Sequence, residues 1–137
     1  MKRILLTSIV ALAGFTGAAV AQTSGCAQNT RVTGSALTTL VSGNTVCATR
    51  GADRWQEQHR AGGQLWDFKK GPSDPVDPTS QVGTWVIAAN NVTYSYTGGP
   101  SFTYRIHGPR SGPYSFCSNG TEVVSGATFQ RGSGNCP

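Results

Sequence analysis

The chain has 137 residues, a net charge of +5 and four cysteines, and only 12% of its residues are charged. That length suits one compact domain and leaves too little chain for two. No run of Lys or Arg in the body of the chain exceeds the pair Lys69-Lys70, which argues against a nucleic-acid stripe or a polybasic membrane patch.

Residues 1–21 read as a secretory signal peptide: Met1-Lys2-Arg3, an apolar run from Ile4 to Val20, and the A-x-A exit Ala19-Val20-Ala21. A transmembrane helix would need about 20 strongly apolar residues, and this run is broken by Thr, Ser and Gly. A lipoprotein signal would carry a leucine-like residue where Thr23 stands before Cys26. Cleavage after Ala21 removes Lys2 and Arg3 and leaves 116 residues with a net charge of +3. The expected location is secreted or periplasmic, with no membrane span left after cleavage. In that oxidising setting Cys26, Cys47, Cys117 and Cys136 read as two disulfides, with three connectivities open. No pair has the close C-x-x-C spacing of a zinc site. The short Lys-Arg signal is bacterial in character, which discounts Asn91-Val92-Thr93 and Asn119-Gly120-Thr121 as glycosylation sites.

Residues 22–43 form an N-terminal segment whose one helical stretch is Ser35 to Val41, ended by Ser42-Gly43. It is expected to plug one end of a sheet with Leu37, Leu40 and Val41 facing in. From 44 to 130 the pattern is all-β. A first strand runs over 44–49. Segments 53–61 and 64–70 flank Gly62-Gly63, a two-residue turn signal. Pairing Ala61 with Gln64 sets His59 opposite Trp66 and Glu57 opposite Phe68, and leaves Leu65 on the polar face. The 71–80 stretch, with Pro72, Pro75 and Pro78, reads as a stiff loop. Its two Asp residues lack the spacing of a calcium loop.

The stretch from Gly83 to Tyr96 carries the clearest hairpin. A turn at Asn90-Asn91 pairs Ala89 with Val92, Ile87 with Tyr94 and Trp85 with Tyr96. A three-residue loop, Gly98-Gly99-Pro100, then pairs Tyr96 with Phe102, Tyr94 with Tyr104 and Val92 with Ile106. His107 falls on the outer face as a solvated residue before a Gly- and Pro-rich loop. Asn119-Gly120 makes the last hairpin, pairing Phe116 with Val123 and Tyr114 with Ser125. The tail 131–137 is held by Cys136.

In this register all eleven Trp, Tyr and Phe residues beyond the signal fall on one face. Eight strands joined by short antiparallel turns, with one apolar face, predict a single small up-and-down β-barrel in preference to a sandwich. If the first and last strands close it, Cys47 and Cys117 stand two strands apart, roughly 9 to 10 Å. That exceeds the reach of a disulfide, about 7 Å between Cα atoms, so pairings through the chain ends are easier. Val82-Gly83-Thr84-Trp85-Val86-Ile87-Ala88 resembles the G-x-W signature of lipocalins, in which the tryptophan closes one barrel end. That signature belongs to the lipocalin first strand, whereas three strands precede it here. The resemblance implies a lipocalin-like architecture.

The candidate ligand-binding residues are Trp55, Glu57, His59, Trp66, Trp85, Tyr94, Tyr96 and Tyr104. They point to a non-enzymatic binding module for a small apolar or aromatic ligand at an aromatic-lined barrel end. An eight-stranded barrel is wide enough either to be filled by side chains or to hold one small ligand, and both remain open from the sequence. An alternative is an inhibitor or interaction partner of another extracellular protein through the Pro-rich loop. A third is a small barrel enzyme using Glu57 and His59 as acid and base. No G-x-S-x-G setting and no cofactor motif occurs, no catalytic residue is assigned, and His59 with Glu57 is too small a set for a metal.

Overall fold

Eight antiparallel strands pair in chain order and close into a barrel, β8 returning to β1. They are β1 (Thr45–Arg50), β2 (Asp53–Arg60), β3 (Gln64–Asp67), β4 (Ser80–Ala88), β5 (Asn91–Tyr96), β6 (Ser101–His107), β7 (Tyr114–Ser118) and β8 (Thr121–Gln130). The computed structural model describes residues 24–50, 53–67, 80–133 and 136–137. Residues 1–21, expected to be a signal peptide, Phe68 with Lys69-Lys70, and the Pro-rich stretch up to Thr79 lie outside the described residues. Closure removes the unpaired strand edges that an open sheet of this length would expose. The seam is short: Thr45, Val46 and Cys47 face Gln130, Phe129 and Thr128.

The helix α1 (Gly34–Val41) lies across one end. Its apolar side carries Leu37 and Val41, both fully buried against Val46, Leu65, Val92 and Ile106 in the core cluster. Burying each such side chain contributes on the order of 2 kcal/mol. Polar contacts fix the helix start to the β4–β5 turn: the Gly34 N–H donates to Asn90 Oδ1 at 2.8 Å, and Arg31 Nη2 donates to the Asn90 carbonyl and to Asn91 Oδ1. At the other end of the helix, the Gly43 N–H reaches the His59 carbonyl of β2. The opposite mouth of the barrel, bounded by the β1–β2, β5–β6 and β7–β8 turns and by the β3–β4 connection whose residues 68–79 lie outside the described ones, has no such helix among the described residues.

Register differs from expectation in instructive ways. The β4–β5 turn is Ala89-Asn90, both with positive φ, so Trp85 faces Tyr94 and Gly83 faces Tyr96. The next loop also sits one residue early, and Tyr94 faces Phe102 while Val92 faces Tyr104. Each shift moves the pairing by two, so every side chain keeps its face. The β2–β3 connection behaves otherwise. It is a three-residue loop, Ala61–Gly63, with Gly62 and Gly63 both at positive φ, and it pairs Arg60 with Gln64 and His59 with Leu65. One extra residue turns β3 over: Leu65 is fully buried and Trp66 faces out. In the last hairpin Asn119-Gly120 turns as expected, but two bulges set Phe116 opposite Val124 and Tyr114 opposite Ala127. Val123 is consequently exposed and Ala127 buried.

The disulfides are Cys26–Cys117 and Cys47–Cys136. Cys47 and Cys117 follow the inward Val46 and Phe116, so both point outward and hold the chain ends against the outer wall. The C-terminal tail covers part of β1 and β2: the Cys136 N–H donates to Gln56 Oε1, and Thr45 Oγ1 donates to the Gly132 carbonyl. The N-terminal segment covers His107. That residue is 2% exposed rather than solvated, bridging to Arg31 and donating from Nδ1 to the Ala27 carbonyl at 2.9 Å. Two disulfides fit an oxidising compartment. Among the described residues no helix is long and apolar enough to cross a membrane.

Candidate functional site

Seven of the eight candidate residues share the inner face, and they divide between the two ends. His59, Trp85 and Tyr94 belong to the plugged end. Alternation on β2 turns His59 inward beneath the α1–β1 junction, where its ring is 1% exposed. Nδ1 lies 3.0 Å from the Asn44 carbonyl. A carbonyl only accepts, so Nδ1 carries the proton and Nε2 accepts from the Tyr94 hydroxyl at 2.9 Å. Burial lowers the His59 pKa from 6.5 to about 4, opposed by the Asn44 carbonyl. The ring is neutral near pH 7 and both nitrogens are engaged, which gives it a positioning part in the core rather than a proton to exchange.

Trp85 packs edge-on against His59 at 5.4 Å, and its Nε1–H donates to the Arg60 carbonyl at 3.0 Å. The tryptophan of the G-x-W stretch thus sits at the plugged end. Its glycine is a matter of clearance: a Cβ on Gly83 would collide with the Ser95 carbonyl oxygen of β5. Tyr94 is fully buried, and its hydroxyl pKa is raised well above the ordinary value by burial first, then by Glu57. From Tyr94 a column of rings runs through Phe116 and Phe129, with Tyr104 edge-on to Phe116. These rings pack on one another inside the barrel at side-chain packing distances.

Trp55, Glu57, Tyr96 and Tyr104 face the open end. Glu57 is 1% exposed, and its Oε1 accepts from the Tyr96 hydroxyl at 2.5 Å. Burial, followed by the neighbouring Glu57, raises the Tyr96 pKa. Trp55 is half-buried, edge-on to Phe116 at 5.9 Å. Tyr104 is half-buried and stacks parallel to Phe102, which in turn lies edge-on to Tyr96. Phe102 itself is 42% exposed. The result is a rim of four rings around a carboxylate held by a tyrosine.

Trp66 does not join them. Because β3 is turned over, its ring lies on the outer wall beneath the Arg60 guanidinium, 3.9 Å from the ring centroid, and its Nε1–H donates to Gln64 Oε1. Phe102 and Asp67 are the site residues that sequence reasoning missed. Phe102 was legible as an inward residue of β6, but its exposure depends on where the strand ends. Asp67 pairs with Glu57 and takes the inner face only in the three-residue-loop register. Among the described residues no group of three or more His, Cys, Asp and Glu could hold a metal ion. Comparison of the chain with protein-family models, with curated proteins and with solved structures gives no match. The lipocalin likeness is therefore confined to seven residues and a closed eight-stranded barrel.

Proposed function

We propose that the mature protein is a secreted or periplasmic binding module whose open barrel end takes a small apolar or aromatic ligand. The observation that carries this reading is the rim of Trp55, Tyr96, Phe102 and Tyr104, partly exposed near the buried carboxylate of Glu57. Rings placed edge-on and in parallel offer faces to a flat ligand, each contact being worth about 0.5 to 1.5 kcal/mol beyond the area it buries. Glu57, buried beneath the rim, holds the Tyr96 hydroxyl and so fixes that ring for a ligand.

Intrinsic tryptophan fluorescence tests it. Trp55 stands at the rim, whereas Trp66 is on the outer wall and Trp85 at the plugged end. Titration with a library of small aromatic and apolar compounds should quench or shift the emission for at least one member. The response should disappear in Trp55→Phe while the unfolding midpoint stays close to that of the parent. A library in which no member changes the emission overturns the reading.

A further inference from the structure

At the opposite end from the aromatic rim, a groove of about 860 Å³ runs between α1 and the wall formed by β7, β8 and the 108–113 loop. Three arginines line it, Arg31, Arg110 and Arg131, and no Asp or Glu is among the described residues that line it. They come from three separate parts of the chain. Arg31 is held in place by the β4–β5 turn through Nη2, and its Nε is buried with no hydrogen-bond partner. Arg110 sits on a loop that is itself tied down, because the Tyr114 hydroxyl donates to the Arg110 carbonyl at 2.7 Å. Arg131 is exposed just beyond β8, where the seam with β1 fixes the strand end.

The distribution of charge along the barrel axis adds to this. Asp53 and Glu122 border turns at the open end, and Glu57 and Asp67 face the barrel interior. None of these four carboxylates is among the residues that line the groove, and Asp74 and Asp77 lie outside the described residues. The groove also has an apolar side. Tyr114 and Phe129 pack edge-on at 5.6 Å and line it together with Leu40, while Ser35, Ser111 and Thr128 contribute hydroxyls.

Guanidinium groups form paired, charge-assisted hydrogen bonds with planar or tetrahedral oxyanions. Three of them exceed what one carboxylate neutralises and suit a dianion. A volume of this size is that of a small-molecule site, larger than a bare inorganic ion needs. We propose that this groove binds an organic phosphate monoester, its phosphate against Arg31, Arg110 and Arg131 and its apolar body against Leu40, Tyr114 and Phe129. Binding here is separate from the aromatic rim and does not depend on it.

The test is calorimetric titration of the mature protein with phenyl phosphate, inorganic phosphate and phenol. Phenyl phosphate should bind more tightly than either of the others, and added salt should weaken it. In Arg110→Gln/Arg131→Gln its affinity should fall by at least about tenfold, as expected when charged hydrogen bonds are lost. Arg131→Gln alone, a change at an exposed position, gives the same direction should the double variant not fold. The same phosphate chemistry could be presented by a lipid, so vesicles containing phosphatidic acid form a further arm. Arginine-dependent retention on those vesicles without binding of phenyl phosphate would assign the site to a headgroup. Phenol or inorganic phosphate binding as tightly as phenyl phosphate overturns the proposal. So does unchanged binding in the folded arginine variants, or the absence of binding to both phenyl phosphate and the vesicles.

Discussion

At the plugged end, α1 lays Leu37 and Val41 over the ring column, and His59 satisfies both of its nitrogens within the protein. At the open end the same inward alternation leaves Trp55, Tyr96 and Phe102 with part of their surface in water and holds Glu57 beneath them. The two ends are thus built from one pattern and finished differently. The difference teaches where this small domain keeps its stability and where it can spare apolar surface. One end is finished by the helix and the engaged His59 ring, beside the arginine groove, whereas the other keeps its rings partly in water above the Tyr96–Glu57 bond.

The largest effect expected from this asymmetry is at Leu37. Replacing it with Ala removes a fully buried side chain from the plug and should cost on the order of 3 kcal/mol. A urea titration measures this, and a loss below about 1 kcal/mol would mean that α1 is not the keystone of that end. Acid should act on the same end by almost as much. The folded-state pKa of His59 is depressed to about 4 from 6.5. The unfolded chain therefore binds the extra proton first as pH falls. Stability should be fully present above pH 6.5 and decline progressively toward pH 4, by roughly 3 kcal/mol from this group. The groups facing the ring are the Asn44 carbonyl, the Tyr94 hydroxyl, Trp85 and Phe129, none of them anionic near neutral pH. Unfolding midpoints measured across that window, in the parent and in His59→Gln, would isolate the contribution. A parent curve that is flat from pH 7 to 4 would contradict it. The smallest change in stability belongs to the open end: Phe102→Ala should shift it by less than about 1 kcal/mol, because the ring is already 42% exposed. The same substitution should nonetheless weaken the aromatic ligand found by fluorescence by about tenfold. A large loss of stability there would erase the distinction between the ends.

The barrel could be read from the sequence because turn chemistry and period-two alternation agree along nearly the whole chain. Asn119-Gly120 turned where expected, and the slips of the two central hairpins left each ring on its own face. The Gly62-Gly63 signal did not distinguish a two-residue turn from a three-residue one, and that single residue exchanged Leu65 with Trp66. Alternation cannot detect such a change from within one strand, since β3 is only four residues long and each face pairs one polar with one apolar residue, Gln64 with Trp66 and Leu65 with Asp67. The burial of His107 was hidden for another reason. Its cover comes from residues near 27–31, brought there by a disulfide whose pairing the sequence left open. The arginine groove was equally invisible, since Arg31, Arg110 and Arg131 share no period and line one groove only when the N-terminal segment, the 108–113 loop and the end of β8 are in place.

The pairing of Cys47 with Cys136 has a topological consequence. The bond links the first strand to a point beyond the last, so the chain from 47 to 136, including nearly all of the barrel, is a covalent ring. A single peptide bond hydrolysed anywhere along that ring opens it without releasing a fragment. The Pro-rich connection between β3 and β4 falls within it, as do all the other strand-to-strand turns. A protease meeting this protein would therefore have to cut twice before any piece of the ring could leave.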